Sequence, residues 1–350
     1  MAVIACDFSG ERSNGVKITA EQRAKIEQVG VLHNEGLDFI IADLMAEKVR
    51  LFEESAGDPA TRSSSGTGFP AAFDFEQFAI SSTEKFMKTI APELDEDFLD
   101  AVLSSPKTRS LTRSSAAERD AEVMEILTPF QQEYWRRMLD IVYREDMNPV
   151  LLRKELAKLE KRIVRDAPTV EQAEQLLYAT SVAVNSAEYW TENLNKWNTV
   201  LNSQIVRIID PSEDLAKELM ESVATRSGGG VLEQLPQGWY PVPGDPEWYI
   251  YVDSEGTIYL LPCPDGLVWR QDMCTCWWPE NIWEKYPNSH SSPPPFEYSV
   301  AELLLADAEG AASGAIAGIP GGVFGMTAGA LIVSTHSSAA NALMQHLLRP

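Results

Sequence analysis

The sequence predicts a mainly α-helical protein with an N-terminal helical bundle, a small β-hairpin module rich in cysteine and tryptophan, and a C-terminal glycine-rich helical hairpin. Three observations lead to this prediction. Apolar residues recur at helical spacing over most of residues 17–227. Aromatic and β-branched residues alternate within residues 248–261 around a Ser-Glu-Gly turn. Glycines recur every four residues from Gly310 onward.

The bundle begins with a long amphipathic helix over residues 17–55. Thr19 and Gln22 have the spacing of a capping box, and an apolar stripe follows them. His33 lies within that stripe, so we expect a hydrogen-bonded core residue in preference to a catalytic one. Pro129 should kink the chain or start a new helix. Further helices are predicted over 116–145, 149–166, 169–209 and 212–225, and their apolar stripes should pack together as a bundle.

Composition excludes some classes of partner. The 350 residues carry a formal net charge of -23, which argues against nucleic acid or an anionic membrane surface as a simple electrostatic partner. The N-terminus lacks the basic start and long apolar core of a secretory signal peptide. We therefore expect a cytoplasmic protein or one that is exported by a specialised route.

No motif in the chain predicts catalysis. The sequence has no glycine-rich phosphate loop, no His-x-x-x-His pair, no Gly-x-Ser-x-Gly elbow and only 4 histidines. The prediction is a non-enzymatic protein without a cofactor. Cys263, Cys274, Cys276 and His290 could form a zinc site, but this spacing matches none of the usual ligand pairs. We therefore expect no metal and favour one disulfide plus a free thiol among these three cysteines.

A cysteine- and tryptophan-rich segment distinguishes the module from the rest of the chain. It reads CPDGLVWRQDMCTCWWPENI from Cys263 onward, preceded by an aromatic hairpin over residues 245–261. This pattern resembles the second half of the chitin-binding type 2 domain, the peritrophin-A module, over about 40 residues. The first two cysteines and the fifth cysteine of that family have no counterparts here.

The resemblance implies a β-hairpin module that binds chitin or another N-acetylglucosamine-containing glycan through exposed aromatics. Indoles can stack on sugar rings, while polar side chains hydrogen-bond hydroxyl and acetamide groups. Protein docking and simple packing are the alternatives for the same aromatic residues. The glycan-binding residues that we predict are Tyr249, Tyr251, Asp265, Trp269, Trp277, Trp278 and Asn281.

Segments rich in glycine, proline and serine suggest the domain boundaries. We predict a bundle over residues 1–227, a Gly/Pro linker over 228–247, the chitin-binding-like module over 248–288, a Pro-rich linker over 289–297 and the hairpin over 298–350. The module should then be an independent unit between two extended linkers.

The tail is a second informative element. Its glycines, which let two helix backbones approach closely, are Gly310, Gly314, Gly318, Gly322, Gly325 and Gly329. No Asp, Glu, Lys or Arg occurs from Ala311 to Leu348. The tail is similar to the glycine-zipper segments of bacteriocin-like peptides. It could be a membrane-active or self-assembling hairpin, or a helical pair docked on the bundle.

Function follows from these two elements. The first hypothesis is a carbohydrate-binding protein, with a chitin-like polymer as its partner and an extracellular setting. The alternative is a membrane-active toxin or effector, or a component of a bacterial secretion or injection assembly, which uses the hairpin. A third hypothesis is a structural protein in which the module serves only as a docking surface.

Overall fold

A computed structural model describes residues 15–55, 69–70, 72–104, 116–226, 234–263, 267–271, 275–277, 298–319 and 322–347. The fold is mainly α-helical with a small antiparallel sheet, which confirms the predicted fold class. The helices are α1 Ala20–Ser55, α2 Phe75–Ile90, α3 Glu96–Leu103, α4 Ala116–Ile126, α5 Pro129–Val142, α6 Pro149–Asp166, α7 Val170–Asn202, α8 Asp214–Arg226, α9 Tyr298–Ala317 and α10 Gly322–Leu347.

Local capping explains where several helices begin. Thr19 Oγ1 accepts a hydrogen bond from Gln22 N at 3.1 Å, and Gln22 Oε1 accepts one from Thr19 N at 2.8 Å, which confirms the predicted capping box of α1. Thr128 caps α5 in the same way, with Pro129 in its first turn. Pro129 therefore starts a new helix, one of the two outcomes that the sequence predicted for it.

The glycine-rich hairpin, α9 and α10, lies at the centre of the bundle. Helix α9 packs on α7 and α4, while α10 packs on α1, α2, α3 and α7. Most side chains of both hairpin helices are buried. Because the hairpin is apolar on nearly all sides, it needs amphipathic helices around it to keep it from water. The structure thus has the helical pair docked in the bundle.

The β-strands are β1 Arg207–Ile209, β2 Gly238–Val242, β3 Asp245–Val252, β4 Ile258–Pro262, β5 Val268–Arg270 and β6 Thr275–Trp277. Strands β1 to β4 form an antiparallel sheet in the order β1-β4-β3-β2, and β5 pairs with β6. The predicted turn joins β3 to β4, where Gly256 has a φ of 85° and Asp253 accepts hydrogen bonds from Glu255 N and Thr257 N.

The predicted linker over 228–247 is wrong in its second half, because β2 and the start of β3 lie within it. The prediction of a helix up to residue 209 is also wrong, since α7 ends at Asn202 and β1 joins the sheet. Pro241 and Pro246 are part of the composition that predicts an extended linker. They are compatible with strands here because β2 is an edge strand and residue 246 lies near the start of β3.

The module is not an independent unit between linkers. One hydrophobic cluster contains side chains of α1, α7, α9 and α10 together with the buried aromatics of β3 and β4 and both described cysteines. A sheet of this size is marginally stable alone. Its apolar face is therefore covered by the bundle, and the two parts share a core. The predicted linker over 289–297 lies outside the described residues.

Candidate functional site

The aromatic side chains that we predicted on an exposed glycan-binding face are buried where the structure describes them. Tyr249, Tyr251 and Trp269 are 0%, 6% and 6% exposed. The rings of Tyr249 and Trp269 stack on each other, with centroids 4.7 Å apart. These three side chains therefore pack in the core in this conformation and present no face on which a sugar ring could stack, because the bundle covers the small sheet.

The other predicted glycan contacts lie elsewhere. Trp277 ends β6, and its side chain lies outside the described part of the structure, as do Asp265, Trp278 and Asn281. Two of the three disulfide candidates, Cys263 and Cys276, are joined by a disulfide that links β4 to β6. Cys274 lies outside the described residues. The Cys276 N–H donates to Thr199 Oγ1 of α7 at 3.2 Å, so the bridge also lies against the bundle.

The hairpin helices approach each other through their glycines. A Cβ atom at Gly310 would lie 2.7 Å from Ser334 Cα, and one at Gly314 would overlap the backbone of Gly329. Gly318 and Gly325 face each other in the same way. Five of the six predicted glycines thus form the contact between α9 and α10. The surroundings of the sixth, Gly322, lie outside the described part of the structure. We call this contact the glycine zipper.

A buried carboxylate forms the centre of a polar interior between α1, α7 and α9. Asp307 Oδ2 accepts hydrogen bonds from Ser186 Oγ and, at 2.9 Å, from Trp190 Nε1. The same oxygen is 3.4 Å from His33 Nε2. His33 is 0% exposed, which confirms the predicted core position. The expected hydrogen bond is not found, because neither of its ring nitrogens has a hydrogen-bond partner among the described residues. Serine, histidine and aspartate meet here, but the serine and the imidazole both approach the carboxylate, and all three side chains are buried.

A second buried polar group joins α4 to both hairpin helices. Arg119 Nε donates to Glu309 Oε2 of α9 at 2.8 Å, and its Nη1 donates to Asn341 Oδ1 of α10 at 3.1 Å. Burial raises the pKa of Glu309 to about 7, although the neighbouring guanidinium opposes that rise. We did not predict either polar group. The isolated acids Asp307 and Glu309 within an otherwise apolar helix were the sequence signal for both.

The turn end of the hairpin differs from its buried body. Ile319, just after α9, is 39% exposed, and Phe324, in the first turn of α10, is 57% exposed. Ala317 is exposed as well. We call these three residues the apolar tip. Sequence reasoning identified the glycines around this turn but not the apolar tip, because the local pattern does not show which large side chains of an apolar segment remain exposed.

Within the described ranges, no group of three or more His, Cys, Asp or Glu side chains could hold a metal ion. None of the helices in that part of the chain combines the length and the hydropathy that crossing a membrane requires. Comparisons with protein-family models, curated proteins and solved structures give no match to this chain.

Proposed function

We propose that this chain is a non-enzymatic, membrane-active protein that carries its glycine-rich hairpin inside a helical bundle and embeds the apolar tip in one leaflet of a bilayer. The observation that carries this proposal is the apolar tip itself. Ile319 and Phe324 are exposed at the end of a hairpin that has no Asp, Glu, Lys or Arg after Glu309 until Arg349. Such a tip loses no charge solvation when it enters lipid.

The glycine zipper supports the same function. Contact between glycine backbones depends on close van der Waals packing, which persists in lipid, whereas the packing of amphipathic helices depends on water. We expect α9 and α10 to stay paired in a bilayer. The surrounding helices should detach, because the apolar surface of the hairpin no longer has to be shielded from water. Amphipathic helices released in this way would lie at the interface.

The length of the charge-free segment limits how deeply the hairpin can enter. From Gly310 to Ile319 the chain rises about 15 Å, and from Gly322 to Val333 about 18 Å, at ~1.5 Å per residue. The hydrocarbon core of a bilayer is about 30 Å thick. The acids Asp307 and Glu309 on α9 and the polar run Ser334–Ser338 on α10 come next. The hairpin would therefore occupy about one leaflet, in keeping with the low hydropathy of both helices.

The test is flotation of the full chain with phosphatidylcholine vesicles. Wild-type protein should float with the vesicles, and the Ile319→Asp, Phe324→Asp variant should not. The matched control is Tyr143→Asp, Val150→Asp, because these residues are 46% and 63% exposed but lie in the α5–α6 region. The control should float like the wild type. Equal flotation of the tip variant, or no flotation of the wild type at neutral or acidic pH, would contradict the proposal.

Glycan binding is a second candidate, and one specific observation favours it. The disulfide between Cys263, just after β4, and Cys276 fixes β6, and Trp277 and Trp278 follow Cys276 directly in the sequence. With Tyr249, Tyr251 and Trp269 in the core, this function would rest on those two tryptophans together with Asp265 and Asn281. The chitin-like polymer would then be the partner.

A pulldown of the full chain on insoluble chitin separates the two candidates. Retention that is lost in a folded Trp277→Ala, Trp278→Ala variant would support glycan binding. No retention of folded wild-type protein on chitin, cellulose or peptidoglycan would remove it. Neither result depends on the flotation assay, so the two candidate functions are tested separately.

A further inference from the structure

The middle of α10 is polar although it lies in the core. Residues Ser334 to Ser338, with the sequence STHSS, are all 0% exposed. Within the described part of the chain, neither ring nitrogen of His336 has a hydrogen-bond partner. The hydroxyls of Thr335, Ser337 and Ser338 also lack partners there. Buried polar groups in proteins are nearly always hydrogen-bonded, so this segment is poorly matched to its position.

We propose that protonation of His336 releases the hairpin from the bundle, so that acidification makes α9 and α10 available to a membrane. The imidazole is neutral when both of its nitrogens are unpaired in the core. A proton would convert it into a buried cation without a bonded carboxylate, which is among the most unfavourable changes that a protein interior can undergo. Release of α10 into water or into the interface would restore solvation of the charge.

The direction of the pH effect follows from burial. Burial lowers the pKa of His336 from the usual 6.5 to about 4. Because the folded state holds the neutral imidazole, the contribution of His336 to stability is complete above pH 6.5 and is lost as the pH falls toward 4. Between pH 7 and pH 5 this single group should raise the open fraction roughly 20-fold.

Whether protonation of His336 destabilises the packed bundle depends on the ionisable groups around α10. The described helices that contact α10 carry several buried ionisable groups: His33 and Lys48 of α1, Glu174, Tyr178 and Tyr189 of α7, and Asp307 and Glu309 of α9, with Arg119 of α4 joined to Asn341. The hydroxyl of Tyr178 is 2.8 Å from Thr327 Oγ1 of α10. On α2 and α3, the described ionisable side chains are not buried. Asp307 Oδ2 contacts Ser186, Trp190 and His33, while Asp307 Oδ1 has no hydrogen-bond partner among the described residues.

Glu309 acts in the opposite direction. Its pKa is raised to about 7, so acidification below pH 7 favours the folded state through this group. The effect of His336 must therefore be read as a difference between the wild type and a variant that cannot be protonated at this position. This inference rests on the proposed function only for the fate of the released hairpin, and a test without lipid keeps the two separable.

The experiment is hydrogen–deuterium exchange of the full chain at pH 7 and pH 5 in the absence of lipid, with rates corrected for the intrinsic effect of pH. From pH 7 to pH 5, the open fraction of the α10 peptides should rise roughly 20-fold more in the wild type than in His336→Gln. His33→Gln is the matched control, since His33 is equally buried but lies beside Asp307. It should retain the acid response. Identical pH responses of the wild type and His336→Gln would overturn the proposal.

A second measurement uses only the wild type, so it remains informative if His336→Gln does not fold. Exchange of the imidazole C2 hydrogen, followed by mass spectrometry across a pH series, reports the pKa of each histidine in the wild type. We expect the His336 midpoint to lie well below 6.5, and the rise in α10 exchange to occur between pH 6.5 and that midpoint. A midpoint near 6.5, with α10 still protected on its acid side, would overturn the proposal. Flotation that fails while the acid response persists would instead remove the membrane function alone.

Discussion

At the residue scale, the buried cation Lys48 shows how one polar side chain can join distant parts of the fold. Its Nζ donates to the carbonyls of Val200 and Ser203 at the end of α7, and it lies 4.8 Å from the ring centroid of Phe69. Val200 lies in the last turn of α7 and Ser203 is its C-cap, so Lys48 caps the C-terminal end of this helix. Burial lowers the pKa of Lys48 to about 7.

Lys48 should make the free energy of unfolding rise as the pH increases above 7. A lysine whose folded pKa is lowered is a penalty at neutral pH, and the penalty fades as the pH rises from 7 toward 10.5. We expect the free energy of unfolding to rise by about 2 kcal/mol more in the wild type than in Lys48→Met between pH 7 and pH 9. Urea denaturation at the two pH values measures this difference. Lys85→Met, which alters an exposed lysine, should follow the wild type, and parallel curves for Lys48→Met would contradict the prediction.

At the scale of elements, the hairpin and the bundle are held by different forces. The glycine zipper brings the backbones of α9 and α10 together, while apolar side chains attach this pair to α1, α2 and α7. Polar links through Asp307 and Arg119 add to the second contact. The hairpin is therefore a preformed unit, and its attachment to the surrounding helices can change separately from its internal pairing.

Adding one methyl group to the zipper should destabilise the protein. A Cβ at Gly314 would meet the backbone of Gly329, which cannot move without shifting α10. Overpacking costs about 3 kcal/mol, and the better helix propensity of alanine offsets about 1 kcal/mol, so Gly314→Ala should lose about 2 kcal/mol. Thermal and chemical denaturation of the purified variant measure the loss. As a control, Ala317→Leu adds a larger group at an exposed position of the same helix and should change stability little. If Gly314→Ala is as stable as the wild type, the two helices are farther apart than in this structure.

At the scale of the whole molecule, the aromatic module and the bundle are one folding unit. Tyr249, Trp269 and Cys276 share a hydrophobic cluster with Leu37 and Trp197 of the bundle. Much of the apolar surface that stabilises the module is therefore supplied by helices that are distant in sequence. A disulfide within the module reduces the entropy of its unfolded chain but does not replace that surface.

The isolated module should consequently be unfolded. A fragment of residues 231–297 should lack near-ultraviolet circular dichroism from ordered tryptophans and should show no cooperative transition on heating, even with the disulfide formed. The full chain, measured in parallel, should show both signals. A cooperative transition of the fragment would mean that the module has a sufficient core of its own, and its buried aromatics would then need another explanation.

The helices and the hairpin turn of the module could be predicted because they depend on local information. Capping residues, the proline at 129, the apolar stripes and the Ser-Glu-Gly turn each act within a few residues. The glycine spacing likewise identified the close contact between α9 and α10, since the spacing itself places the glycines on one helix face. His33 was correctly predicted as a core residue for the same reason.

The linkers and the exposed aromatic face could not be judged from local pattern alone. Alternating aromatics predict a strand with one buried face, but which neighbour covers that face depends on contacts between residues far apart in the chain. Here α1 and α7 cover it, which places Tyr249, Tyr251 and Trp269 inside. Local pattern is therefore sufficient for the helical class, the capped helix ends and the glycine zipper. Which apolar surfaces remain exposed, and which polar side chains are buried, His336 among them, depends on contacts between distant segments, because burial is a property of the whole packed chain.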